Sequence, residues 1–548
     1  MKRPIIALFV ALPSALAWPA AAADLLIFGG PIYTGVAAAP KAEAVLVDKD
    51  RIAFVGPLTE ARRRAGGARE IDLKGAAAYP GFADAHAHLT GIGLREMTLN
   101  LDQVTSVEAL VAAVRAHTQA HPQATVIQGR GWIETHWPEK RFPTRADLER
   151  AVADRPVVLE RADGHAVVAN GAALALAGIT RATPDPKGGQ ILKDERGEPT
   201  GMLVDRATGL VEARLPRPTP AMILEATERG AHLYAARGWT AIGNMSVSAG
   251  DLQAQEQLAA RGRLPIRVDD YMDPPAAGRV LSQGPYADPS GLVRVRGVKI
   301  YVDGALGSRG AALLQPYSDA PASSGLLVTE RAEAAPILRR ALAARAQVAA
   351  HAIGDRGNRL ALDWFAEALG SDKTRRWRVE HAQVISPPDL PRFAGAGVIA
   401  SMQPSHAIGD LYFAPARLGE TRLKGAYAWR SLLDSGAMVA AGSDAPVEVG
   451  SPLIEFYAAV ARKDLQGKSG PDWHPEEAVS RERALKMLTW APAYAAFAEQ
   501  DRGTLEAGKK ADITVFSKDL MIVPEADILK AEAVLTVVDG KVVHEARR

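Results

Sequence analysis

Residues 80–89 read PGFADAHAHL, a turn at Pro80-Gly81, a short apolar run ending at Asp84, and histidines at positions 86 and 88. In an extended backbone, residues two apart project to the same side. His86 and His88 are therefore placed to offer two imidazoles to one metal ion at the end of a strand. The pair alone fits two surface histidines after a turn equally well, so its meaning depends on what the rest of the chain puts around it.

Apolar, strand-like runs occur at 78–83, 240–245, 266–271, 298–302, 347–350, 378–380, 398–402 and 438–441. Most are followed by Ala/Leu/Arg-rich stretches with helical periodicity. The pattern predicts an α/β fold, a TIM-like (β/α)8 barrel whose chemistry sits at the C-terminal ends of its strands. Four of the twelve histidines fall at such ends: His86 and His88 on the first strand, His351 closing Val348-Ala-Ala-His351 on the fifth, and His381 closing Trp377-Arg-Val-Glu-His381 on the sixth. Asp444 follows the eighth run, and Lys299 lies inside the fourth.

Neutral imidazoles bind zinc and similar ions, and a carboxylate adds a hard oxygen ligand. A bound divalent metal brings the pKa of its water to about 7. Asp444 is then the natural proton shuttle. The set predicts a site for one or two divalent ions, zinc by ligand type. Lys299 binds a cation only after losing its charge; its alternative is an ion pair with Asp303 or another acid. Asp355 and Arg356 are expected to brace the His351 loop, because a ligating imidazole needs an acceptor behind it.

Residues 99–235 separate the first two runs and hold helical stretches (106–117, 145–153) and short strands (125–128, 157–159, 191–193, 202–204). They read as a cap inserted after the first barrel strand. Strand signals at 25–28, 44–47 and 51–55, and again at 511–516, 533–538 and 542–543, predict a small β-sandwich domain shared by both termini. The expected organisation is 24–78 and 498–548 as the two halves of the sandwich, with the metal-binding barrel at 79–497.

Lys2 and Arg3, an apolar run interrupted by Pro13, and Ala21-Ala22-Ala23 before Asp24 have the plan of a secretory signal peptide over 1–23, which predicts a periplasmic or secreted protein. Its two charges account for the net charge of +2, leaving a near-neutral chain with nothing to attract nucleic acid or, once the signal is removed, a membrane. The expected partner is a small-molecule substrate; a homo-oligomer is left open. There is no cysteine, so neither disulfides nor thiolate ligands enter.

Further motifs sharpen the reading: ADGH at 162–165, VKIYVDGALGSRGAALLQPYSD at 298–319, HAIGDRGNR at 351–359, RVEHAQ at 378–383, SMQPSH at 401–406, GSDAPVE at 442–448 and GTLEAGKKAD at 503–512. Together with PGFADAHAHL they resemble the amidohydrolase superfamily, specifically its family 3, over nearly the whole chain from Asp24. The resemblance implies the barrel flanked by a β-sandwich and metal-dependent hydrolysis of amides or similar C–N bonds. It also implies that His86 and His88 are first-strand ligands, His351 and His381 those of strands five and six, and Asp444 the eighth-strand aspartate. Members with two metals often carry a carboxylated lysine on strand four, the place of Lys299.

His165 is a candidate to polarise a substrate carbonyl, or else caps a helix over 166–176. Asp163, Arg309, Gln403 and His406 are candidate substrate contacts; for Arg309 a loop salt bridge is equally open. Where related sequences often have Trp this chain has Val167, which removes an aromatic wall. A lactonase, esterase or isomerase on the same centre is the rival reading. A non-catalytic exported binding or regulatory protein would need broken ligands, and all the expected types are present.

Overall fold

Strands rich in Val, Ile and Ala run through the centre of the molecule, since parallel strands covered on both faces need apolar side chains along their whole length. In the computed structural model, which describes residues 23–102, 104–470 and 473–546, eight such strands lie parallel. Barrel strands one to eight are Phe82–Ala87, Trp239–Val247, Arg267–Met272, Val293–Tyr301, Gln347–Ala352, Arg378–His381, Ile399–Met402 and Met438–Ala441. Beyond the ladder, Asp444 N donates to His86 O at 2.7 Å and His88 N to Ala445 O at 2.8 Å. These bonds tie strand eight to strand one and nearly close the ring, as the (β/α)8 reading requires.

Two strand expectations are corrected. The run 78–83 is split at Gly81: Ala77–Pro80 pairs antiparallel with Ile513–Phe516, and only Phe82–Ala87 enters the barrel. Strand four begins at Val293, earlier than expected, because Arg294 and Arg296 interrupt its apolar pattern. Arg294 is tolerated there because its guanidinium meets Asp269 of strand three.

The terminal strands assemble into one eight-stranded sheet in which Leu25–Tyr33 neighbours Ala77–Pro80 and Ile513–Phe516 lies beyond it. Ile27, Val45, Ile513 and Val537 share a single core between its two halves. Tyr79 and Phe516 meet Phe82 edge-on, with ring centres 5.9 and 5.2 Å away, and so seat this sheet on the barrel.

Between barrel strands one and two lies a six-stranded sheet, ordered Gly189–Lys193, Pro199–Asp205, Ala166–Ala169, Val157–Arg161, Ile127–Trp132, Leu99–Asn100. It has apolar clusters of its own on both sides. The expected helix over 166–176 is corrected: Ala166–Ala169 is a strand, and Asn170, not His165, caps the helix Gly171–Ala177. Val167 is buried in the cluster beneath that helix. Helix Pro220–Arg237 then returns the chain to the barrel. Among the described residues no helix is long and apolar enough to cross a membrane. The expected signal segment, apart from Ala23, lies outside the described residues.

Candidate metal centre

At the C-terminal mouth of the barrel the strand ends bring the sequence-predicted ligands together. Asp444 Oδ1 lies 3.3 Å from His86 Nε2 and 3.2 Å from His88 Nε2. Lys299 Nζ reaches His86 Nε2 at 3.3 Å from strand four. The His381 ring stands 4.8 Å from that of His86 and 4.5 Å from that of His351. His406, at the start of the chain segment after strand seven, closes the other side, with Nε2 3.6 Å from Asp444 Oδ2.

Each ligand candidate is held from behind. His86 Nδ1 pairs with Glu380 Oε2 at 2.7 Å, His88 Nδ1 with Met245 O at 3.1 Å, and His381 Nδ1 with Gln403 Oε1 at 2.8 Å. An acceptor on Nδ1 leaves Nε2 as the ligating atom. His351 Nε2 lies 3.5 Å from Gly304 O and 3.7 Å from Asp303 Oδ1. Asp303 is anchored by the backbone N–H groups of Ala312, Ile353 and Gly354. A Cβ at Gly354 would lie 1.9 Å from Ala312 O, so only glycine lets the strand-four loop dock there. Asp355 braces this junction through Leu314 N at 2.8 Å but does not touch His351; the acceptors behind that ring are Asp303 and Gly304. Lys299 does not pair with Asp303, whose oxygens are taken by the backbone.

Electrostatics favour a cation. Burial, reinforced by the neighbouring Lys299, lowers the pKa of His86 to about 4. Burial likewise holds His351 and His381 well below the usual imidazole value, so all three are neutral, the form that binds a metal. Burial lowers Lys299 to about 8. Burial opposes charge on Asp444, yet the facing imidazoles outweigh it and keep its carboxyl well below the ordinary range. His381 and Asp444 both adopt left-handed backbone, φ 72° and 60°. Such conformations cost on the order of 1 kcal/mol or more and persist where the surroundings impose them.

The donor set fits a divalent ion. Ligand atoms of His86, His88 and Asp444 lie within 4.8 Å of one another, as do those of His381, His406 and Asp444. The set of His86, His88, His351, His381 and Asp444 is complete without His406, whose Nε2 stays buried without a hydrogen-bond partner.

Above the centre opens a cavity of about 470 Å³, lined by His165, Asp163, His351, His381, His406 and Asp444 among others. His165 comes down from the cap: Nδ1 meets Asp205 Oδ1 at 2.7 Å and its ring lies 5.0 Å from His351. Burial opposes protonation of His165, but the Asp205 bond and nearby carboxylates prevail and raise its pKa. Asp163 faces the same space while pairing with Arg161, which also holds Glu134 at 2.8 Å.

Residues 69–544 match the amidohydrolase family. The chain belongs to that family. YtcJ of Bacillus subtilis (strain 168), itself an inferred amidohydrolase, is 34% identical over 534 residues, covering 94% of this chain and 98% of that one. An N-substituted formamide deformylase of Arthrobacter pascens is 29% identical over 539 residues, covering 95% and 98%. Among solved structures, an uncharacterized metal-dependent hydrolase from Pyrococcus horikoshii OT3 superposes with a TM-score of 0.75 at 28% identity, covering 91% of this chain and 99% of that one. This amidohydrolase is thus a hydrolase of a fold shared with metal-dependent enzymes.

For two candidate contacts of the amidohydrolase, one open alternative is decided and one expectation is corrected. Arg309 does not line the cavity; it pairs with Asp319 at 2.9 Å and fastens its own loop. Gln403 is buried beneath His381 and acts on that imidazole rather than on substrate. Sequence reasoning missed Glu380, fully buried between His86 and Arg378. An acid beside His381 in a buried strand was the available signal, since such a charge needs partners. It also missed Asp84, which accepts from Ser443 N and Oγ at 2.9 and 2.6 Å and so clamps strand one to the Asp444 turn.

Proposed function

We propose that this amidohydrolase cleaves an amide-like C–N bond of a small molecule with zinc as its cofactor. His86, His88, His351, His381 and Asp444 would hold the metal, with Lys299 in its carboxylated form where two ions are bound. When present, a divalent ion polarises a carbonyl oxygen and makes water acidic enough to attack at neutral pH. Asp444, kept ionised by its surroundings, takes the proton of the attacking water and returns it to the departing nitrogen. His165, oriented by Asp205 through Nδ1, turns its Nε2 to the substrate oxygen and stabilises the negative charge that develops there.

The observation that carries this reading is one carboxylate 3.2 and 3.3 Å from two imidazole Nε2 atoms, bordering the cavity. Likeness to a formamide deformylase supports C–N cleavage over other hydrolyses. The test is a panel of N-formyl amines, N-acyl amino acids and cyclic amides run beside matched esters with the zinc-loaded protein. Release of amine from at least one amide class, faster than alcohol from its ester, is expected; turnover of esters or lactones alone would overturn the assignment.

A further inference from the structure

The cavity wall carries a charge pattern that the reaction uses only through Asp444. Asp102, Asp163, Asp410, Asp444, Glu448 and Asp464 all line the cavity, whereas Arg161 is the only Arg or Lys among the described lining residues. Arg161 is already held by both Glu134 and Asp163, so it offers no free charge to an acidic substrate. Asp464 is also committed, accepting from Gln466 N, Lys468 N and the Tyr412 hydroxyl.

Glu448 and Asp410 differ from these. No described Arg or Lys lies within ion-pair distance of either. The Glu448 side chain makes no hydrogen bond among the described residues; His406 Nε2 lies 3.9 Å from its Oε1. Asp410 accepts from Gln383 Nε2 at 2.7 Å and the Tyr427 hydroxyl at 2.6 Å, both on Oδ2, which leaves Oδ1 unused. Beside them, His406 is only 8% exposed, and its Nε2 is buried with no partner although the residue lines the cavity. Of these groups the His406 Nε2 is the one buried without a partner, while Glu448, with 27% of its side chain exposed, and Asp410 are partly open to the cavity; a buried polar atom left unpaired is costly unless a ligand meets it.

We propose that this wall, formed by helix Pro404–Asp410 and the turn after barrel strand eight, is a subsite for an alkylammonium group carried by the substrate, held by Glu448, Asp410 and the Nε2 of His406. A primary ammonium has three N–H donors and one positive charge, matching two carboxylates beside an unpartnered imidazole nitrogen. His406 Nε2 is 3.6 Å from Asp444, so a cation held here sits only a few bonds from the scissile carbonyl. Ile408, Phe413 and Val447 supply apolar surface in the same cavity for the chain between the two groups. The substrate class is an amide with an amino group a few bonds from the amide. This rests on the amide-hydrolase reading for the chemistry but not for the binding.

Two measurements on the full-length mature protein test it. In the first, zinc-loaded enzyme is given an amide ending in an ammonium, its methyl isostere and its carboxylate counterpart. The ammonium form should lead the isostere by about tenfold or more in kcat/KM, in keeping with a hydrogen bond to a charged group. That lead should collapse in Glu448→Gln and shrink in Asp410→Asn. In the second, n-butylammonium chloride and butan-1-ol are titrated calorimetrically into wild type and both variants, with circular dichroism confirming the fold. The ammonium should bind wild type at least about tenfold more tightly than Glu448→Gln, and the alcohol should not discriminate. If no amide is turned over, the hydrolytic reading fails and the calorimetry still decides the subsite. Equal kcat/KM for ammonium and methyl amides, or equal ammonium affinity in wild type and variants, would overturn the proposal.

Discussion

At the residue scale the weight falls on Asp444 and Lys299. Asp444 faces His86 and His88 while its own carboxyl stays ionised. Asp444→Asn is nearly isosteric but cannot take a proton, so kcat should fall by more than about a hundredfold, with the melting curve little changed. A variant with near wild-type kcat would remove Asp444 from proton transfer. Lys299 is buried against His86 with its pKa lowered to about 8, which makes the neutral form that carboxylation by CO₂ requires more accessible than in an exposed lysine. Lys299→Ala should be inactive, lose metal, and recover partly with added short carboxylic acids. Lys299→Arg should stay inactive, because a guanidinium keeps its charge and forms no carbamate. An active Lys299→Arg enzyme holding a single ion would exclude a two-ion site built on carboxylated Lys299.

At the scale of elements, function depends on how the strand-end loops are pinned. Asp303 gathers three backbone N–H groups from the strand-four loop and the turn after His351, and burial raises its carboxyl to about 7. Asp303→Ala would strand those donors away from water, at about 1–3 kcal/mol each before relaxation. We expect a loss of ~3 kcal/mol or more, visible as a lower midpoint in urea. A midpoint within error of wild type would show that these loops hold without it. Asp205, at the end of the strand Pro199–Asp205, orients His165 of the cap toward the cavity, which Asp163 lines beside it.

At the scale of the molecule, metal and export are the properties to measure. A ligand that binds only the folded state stabilises it by mass action. Chelation should therefore abolish turnover and also lower the thermal midpoint, and zinc should restore both. Full activity in metal-free protein would sink the mechanism. We further propose that the protein works after export, and its mature N-terminus should be Asp24 by intact mass. Soluble cellular protein that keeps Met1 would contradict this.

The barrel, the terminal strands and the convergence of five candidate ligands were legible because they rest on local chemistry: strand periodicity, and histidines or acids at strand ends. Position along a strand decides which way a side chain points, so His86, His88, His351, His381 and Asp444 converge once the strands close. Contacts between elements distant in the chain could not be read this way. Gln403 looked like a substrate contact until His381 folded over it, and Arg309 until Asp319 reached it. Glu380 and Asp84 acquired roles only when strands one, six and eight became neighbours. The unpaired state of Glu448 and Asp410 is likewise a property of the assembled cavity, because whether a charge is free depends on what every other element brings near it.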